Sequence, residues 1–400
     1  MRALIDLIKE TAVNAEKAAG ILQDISKCIP QNIGSGRAEK TAERSGNARE
    51  SGRDTEKTAP ETEKDRSTPA LPDKFESPSP SEFGSGSFAP SLRFDRYWRL
   101  NYSLLEDREK KAYEAIETAV LRGFPSTRVD LPADTDLIIK VAKSLILDNW
   151  SLFYINTAMT VVTDPEGVYV CFHYNRFNDD REGYLRKMKE TAERVYETRV
   201  RKCATPYEAE LAIHDYLTET VKYDKSDDEL AHSPVGPLLY GRGVCEGISE
   251  AFAFLACSCG IKASMMAGTQ NRGSHRWNIV EIEGERYHLD VTDDLSGLHS
   301  YFNCDDAMLR KDHAFPKSVG CCHTRQNYYS VNDSRFRLAS EASGFIKEQS
   351  SKGRGTSFEF MVENGVNPSE VLRIARAGAG QTPKISAVNS GQRSYRIDIS

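Results

Sequence analysis

Gly241-Arg-Gly-Val-Cys245-Glu-Gly-Ile-Ser-Glu-Ala-Phe252 places two glycines before a cysteine and an apolar run behind it. Gly241 and Gly243 suit a tight turn, and the spacing of Val244, Ile248, Ala251, Phe252 and Leu255 predicts a helix that begins at about Cys245. A sulfur at a helix N-terminus meets exposed backbone N–H groups and the positive end of the dipole, both of which favour thiolate over thiol.

Downstream, His275-Arg-Trp-Asn-Ile-Val-Glu-Ile282 reads as a strand of mixed burial, Glu283-Gly284-Glu285 as a hairpin turn, and Arg286-Tyr-His-Leu-Asp-Val-Thr292 as the returning strand. Pairing across that turn carries Asp290 back toward His275. A base that takes the thiol proton and an acid that fixes its tautomer then stand beside a nucleophile. Singly, Cys245 could be a small buried hydrophobe, His275 a core histidine and Asp290 a cap or turn residue. Together, in chain order, they point to a thiol enzyme. Trp277 falls on the same side of its strand as His275, either shielding the imidazole or simply packing in the core. The backbone N–H of Cys245, with Tyr240 or Tyr223, is a candidate donor to an oxyanion, although either tyrosine could equally be a core or rim residue. His288 shares the face of Asp290, where a second base is unnecessary, and Glu246 suits the helix start electrostatically.

These motifs resemble the transglutaminase-like superfamily, through Gly243 to Phe252, His275 to Asn278 and Tyr287 to Thr292. The resemblance runs upstream through Ala212 to Leu217 and Val221 to Asp224, and downstream through Tyr301 to Asn303, Met308, Lys311-Asp-His313 and Asn327 to Tyr329. It implies an α+β fold with a papain-like transglutaminase core, in which a Cys-bearing helix packs on an antiparallel sheet carrying His and Asp. It also implies Cys245 as nucleophile, His275 as general base, Asp290 as orienting acid, and a bacterial source. Ile248, Arg276 and Asp293 depart from the residues usual in relatives, and all three bear on the pocket wall. The superfamily holds peptidases, amidases, glutamine:amine crosslinkers and members without activity. Lacking a calcium-loop pattern and the extra sandwich domains of animal crosslinkers, the chain reads as a cysteine hydrolase of peptide or glutamine-type amides ahead of a crosslinking acyltransferase. A non-catalytic peptide-binding protein on the same core is the third reading.

Of 400 residues, 39% are hydrophobic, and much of the deficit sits between about Gly34 and Pro90, rich in Ser, Thr, Pro, Glu, Lys and Arg. Such a stretch cannot bury enough apolar surface to offset its ordering entropy and should be a disordered tether. The balance of 53 basic and 59 acidic residues, net −6, leaves no nucleic-acid footprint. No apolar run suits a signal peptide or a membrane span, and nine irregularly spaced cysteines make no disulfide framework, so a reducing cytoplasm is expected. Cys257-Ser-Cys259 and Cys321-Cys322-His323 lack paired zinc-ligand spacing; no metal or cofactor is expected.

Five segments follow. Residues 1–33 read as an amphipathic helix that either docks on its own protein or binds a partner. Residues 34–91 are the tether, 92–205 an N-terminal α+β region, 206–335 the catalytic core and 336–400 a small α/β unit. In the region 92–205, helices are predicted over Glu106 to Arg122, Asp134 to Asn149 and Glu182 to Lys202, and strands over Ser151 to Ala158 and Val168 to Tyr174. Helix Pro206 to Val221 opens the core. The last segment should hold helices Phe336 to Glu348 and Pro368 to Ala377 and strands Ser357 to Val362, Pro383 to Asn389 and Tyr395 to Ile399. The substrate is expected to be a protein or peptide.

Overall fold

The computed structural model describes residues 83, 88–226, 228–315, 318–379 and 382–400. The expected N-terminal helix and most of the expected tether lie outside them. The longer helices are α1 (Asp107–Leu121), α2 (Thr135–Asp148), α3 (Arg181–Val195), α4 (Pro206–Thr220), α5 (Cys245–Ser258), α6 (Ala339–Ser351) and α7 (Pro368–Ala379). Strands β1 (Ser126–Val129), β2 (Thr160–Asp164) and β3 (Gly167–Cys171) form an antiparallel sheet ordered β1-β3-β2. Two short strands, β4 (Lys222–Tyr223) and β5 (Arg242–Gly243), pair in parallel just before α5.

The central sheet consists of β6 (Lys262–Gln270), β7 (Gly273–Ile282), β8 (Glu285–Leu289) and β9 (His313–Ala314), antiparallel and ordered β8-β7-β6-β9. The β7–β8 hairpin closes through Glu283 and Gly284, both at positive φ (53° and 82°), the conformation a two-residue turn needs to match strand twist. At the C-terminal end, β10 (Arg335–Phe336), β11 (Ser357–Val362), β12 (Pro383–Asn389) and β13 (Ser394–Ile399) form a sheet ordered β10-β11-β13-β12 with its own apolar cluster around Phe360, Ile346 and Val371. The mixed α+β class is as the sequence implies. No described helix is long and apolar enough to cross a membrane.

α5 is buried along nearly its whole length, as the apolar run from Ala251 to Cys257 requires. It lies against β6 and β7, and against α4. Phe254 meets Trp150 edge to face at 4.6 Å between ring centres, so α5 and the region before residue 205 share one apolar core.

Three local expectations need correction. Residues 151–158 are not a strand: Trp150–Leu152 is a 3-10 turn capped by the Asn149 side chain, and only Ile155 bridges to Tyr174. Leu152, Phe153, Tyr154 and Ile155 are buried in succession, without the alternation of a half-buried strand. Phe336 belongs to β10, paired with Val362, and the helix starts three residues later. The returning strand of the hairpin stops at Leu289, so Asp290 lies just beyond it.

A Cβ on Gly247 would lie 2.5 Å from the carbonyl of Ala231 and 2.6 Å from that of Ser233, because this chain segment lies directly on the first turn of α5. Gly247→Ala should therefore force the two apart and cost about 1–3 kcal/mol. The expected result is a lower urea midpoint; an unchanged midpoint would contradict this packing.

Candidate active site

Val244 is extended and Cys245 is the first helical residue of α5, part-exposed at the end of the helix that faces the sheet's β7. His275 sits near the start of β7, opposite Gly268 of β6. At Gly268 a Cβ would lie 2.4 Å from the carbonyl of Ala314 and 2.6 Å from the Trp277 ring, so only glycine leaves β9 and Trp277 this close to the imidazole. The Cys245 side chain lies close enough to His275 to favour the charged form of its ring. His275 Nε2 stands 2.6 Å from Asp290 Oδ2, which leaves Nδ1 as the ring nitrogen for the sulfur.

Asp290 caps the short helix Val291–Asp294: its Oδ1 accepts the backbone N–H of Thr292 and of Asp293 at 3.0 and 3.3 Å. That fixes the carboxylate so that Oδ2 faces the imidazoles. Burial favours a neutral acid, but the charge and hydrogen bond of His275, and the bond from His313, hold Asp290 well below the usual carboxylate range. Burial likewise opposes an imidazolium at His275, yet the charge and hydrogen bond of Asp290, aided by Cys245, raise its pKa to about 11. Trp277 stacks on His275 at 5.9 Å between ring centres and screens one of its faces. Its Nε1–H donates to His288 Nδ1 at 3.0 Å. His288, bonded in turn to Asp306 at 2.8 Å, is thus occupied with holding Trp277.

Cys245 and His275 line a cavity of about 1090 Å³. Its far wall is the Ile139, Lys143 and Ile146 stripe of α2, with Leu147 and the segment 157–159 beside it. The C-terminus of α2 is tied to β6 through Asp148, whose Oδ1 accepts from Ser264 Oγ at 3.0 Å and from the backbone N–H of Asn101 at 2.7 Å. The region preceding the core therefore builds one side of the site. Tyr223 lines the same cavity and is half-exposed, its pKa raised by burial and by the nearby Cys245. Tyr240, 57% exposed, is not among the cavity's lining residues; the turn at Gly241 leaves it outside.

Two further residues had no assigned role in the sequence. Arg276, next to His275, reaches Glu246 and Glu250 of α5 at 3.0 Å each, and Glu246 also takes His232 Nδ1 at 2.8 Å. The residue after the histidine is thereby tied to the residue after the cysteine. Burial acts against a charge at Glu246, but Arg276 and then His232 lower its pKa. Burial raises that of Glu250 to about 8 despite Arg276. The second residue is His313, whose Nε2 lies 3.1 Å from Asp290 Oδ2. Lys311-Asp-His313 was visible only as part of a motif, since β9 pairs with β6 across a long loop.

Among the described residues, three groups bring metal-ligating atoms within 4.8 Å of one another: His214, Asp215 and His299; His275, Asp290 and His313; His288, Asp306 and Cys321. Two ligands of one tetrahedral zinc ion stand about 3.3 Å apart. His275 and Asp290, at 2.6 Å, are at hydrogen-bond distance instead. Both nitrogens of His214, His299 and His288 are likewise taken by neighbouring side chains. Cys257 and Cys259 are buried, each thiol pushed up to about 12 by desolvation.

Residues 192–291, a stretch that includes Cys245, His275 and Asp290, match the transglutaminase-like superfamily. Over that stretch the chain is similar to the transglutaminase-like core. Among solved structures it is similar to a candidate cysteine protease from Cytophaga hutchinsonii, at 13% identity and TM-score 0.25, over 34% of this chain and 61% of that one. It is also similar to a TGase, at 13% identity and TM-score 0.23 over 43% and 51% of the two chains. A candidate protease from Parabacteroides distasonis gives 9% identity and TM-score 0.23 over 34% and 30%. The chain thus spans at most 61% of the length of these structures. No curated protein matches it.

With Glu246 charged and Glu250 largely neutral near pH 7, the two acids of α5 should respond differently to amide replacement. Glu250→Gln should cost less than about 1 kcal/mol, and Glu246→Gln, which strips Arg276 and His232 of their counterion, about 1–3 kcal/mol. Urea denaturation at pH 7 measures both; equal losses would contradict this division of charge.

Proposed function

We propose that the chain is a cysteine-dependent acyl-transfer enzyme acting on peptide or glutamine-type amides, with hydrolysis as its main outcome. Members of the transglutaminase-like superfamily are usually cysteine enzymes. The observation that carries the reading is that Cys245 and His275 line one cavity, with Asp290 hydrogen-bonded to the far side of the imidazole.

In this reading the sulfur of Cys245, having given its proton to His275, attacks the carbonyl carbon. The developing oxyanion is met by the backbone N–H of Cys245, which has no carbonyl one turn earlier in its helix, and by the hydroxyl of Tyr223. The C–N bond then breaks, and the amine or ammonia leaves with the proton held by His275. A pKa raised to about 11 supports His275 as the holder of that proton at neutral pH. Water next gives a proton to His275 and its oxygen to the acyl carbon, the C–S bond breaks, and the sulfur recovers the proton as the acid leaves. Asp290 keeps the ring oriented throughout. Cys245 is part-exposed on a wide cavity, and this supports water as the acceptor.

The test uses a glutamine-containing peptide together with a fluorescent primary amine. Ammonia release without amine incorporation is expected, and Cys245→Ala should abolish both that release and alkylation of the site by iodoacetamide. Amine incorporation would overturn the preference for hydrolysis, and turnover that survived in Cys245→Ala would overturn the enzyme reading. Tyr223→Phe should lower kcat on the order of 10²-fold with KM little changed. An unaltered kcat would remove Tyr223 from the oxyanion site.

A further inference from the structure

Asp290 Oδ2 faces two imidazoles, His275 Nε2 at 2.6 Å and His313 Nε2 at 3.1 Å. The opposite nitrogen of His313, Nδ1, stands 2.7 Å from Asp312 Oδ1. An imidazole that donates to a carboxylate from each nitrogen holds both protons, so His313 is an imidazolium between two carboxylates. Its ring is buried, 5.2 Å from that of His275 between centres and edge to face with Trp277. Burial opposes the charge, but the bonds to Asp290 and Asp312 push the pKa of His313 up to about 9.

Further titratable groups face this ring. Asp293 lies 4.0 Å away, its carboxyl raised to about 7 by burial and by the charge of Asp290. His288 of β8, its pKa lowered chiefly by burial, feels the charge of His313 as well. The ring of Tyr301 is 5.5 Å away, and its hydroxyl donates to Asp312 Oδ2 at 2.5 Å. The cation is thus enclosed by two close carboxylates, one more distant acid and the imidazole of His275.

We propose that His313 is a positioning residue for the Cys245–His275 pair: acting through Asp290, it steadies the carboxylate and offsets part of its charge, setting the pH range in which thiolate and imidazolium coexist. This rests on the roles proposed above for Cys245 and His275. A neighbouring positive charge favours a thiolate and disfavours an imidazolium. With His313 charged, both limits of that range lie at lower pH than they would without it. Removing the charge should raise them by about one pH unit, the order expected for a unit charge at this separation in a screened interior.

The test is the rate of Cys245 alkylation by iodoacetamide against pH in the full chain, followed by mass spectrometry of the modified peptide. His313→Gln keeps an N–H donor but not the charge; the acid limb should move up by about one unit. Asp312→Asn keeps the cation on the acid side and removes the anion beside it, so the limb should move the opposite way, to lower pH. This variant also decides the matter if circular dichroism shows His313→Gln unfolded. Rates lowered equally at every pH, with no displacement of the limb in either variant, would reduce His313 to a structural residue and overturn the proposal. Labelling of the unaltered chain that does not depend on Cys245 would instead overturn the enzyme reading on which it rests.

Discussion

A carboxylate as deeply buried as Asp290 persists as an anion only if its charge is answered on all sides, and four donors answer it here: two backbone N–H groups, His275 and His313. Much of the surrounding structure serves that arrangement. The end of β8 sets the cap, the hairpin brings β7 alongside, and β9 adds the second imidazole from the other edge of the sheet. Because Asp290 is fixed by its own backbone, the His275 ring is held through Nε2, which leaves Nδ1 as the nitrogen for the sulfur.

A second constraint joins helix to sheet. Arg276 ties β7 to the first turns of α5, so cysteine and histidine, carried on different elements, are linked by neighbours one residue along from each. The Ile139, Lys143 and Ile146 stripe of α2, anchored through Asp148, closes the far side of the cavity. Chemistry and substrate wall thus come from segments far apart in the chain. Their relative position depends on the shared core around Phe254 and Trp150.

Much of this was legible in the sequence because it is local. The glycines before Cys245 and the apolar spacing after it mark the start of α5, and Glu283-Gly284 marks a hairpin whose register carries Asp290 toward His275. The superfamily and the α+β class followed from the same stretches. What escaped is non-local. β9 is two residues long, with no periodicity to announce it, so His313 stayed a motif letter without a place. Arg276 looked like a departure from its relatives until its two glutamate partners were seen. The run from Ser151 misled because consecutive aromatic and β-branched residues resemble a strand, whereas here a tight turn buries them one after another. Tyr240 and Tyr223 were equivalent in sequence; the turn at Gly241 puts only Tyr223 on the cavity.

The hydrogen bond between His275 and Asp290 is the centre of this account, and ring-nitrogen NMR of selectively labelled histidine reads it most directly. At pH 8, His275 should carry protons on both nitrogens, and Asp290→Asn should return its titration to the range of an ordinary imidazole. A His275 that is already neutral at pH 8 in the unaltered chain, with a midpoint near 6.5 that Asp290→Asn leaves in place, would contradict it.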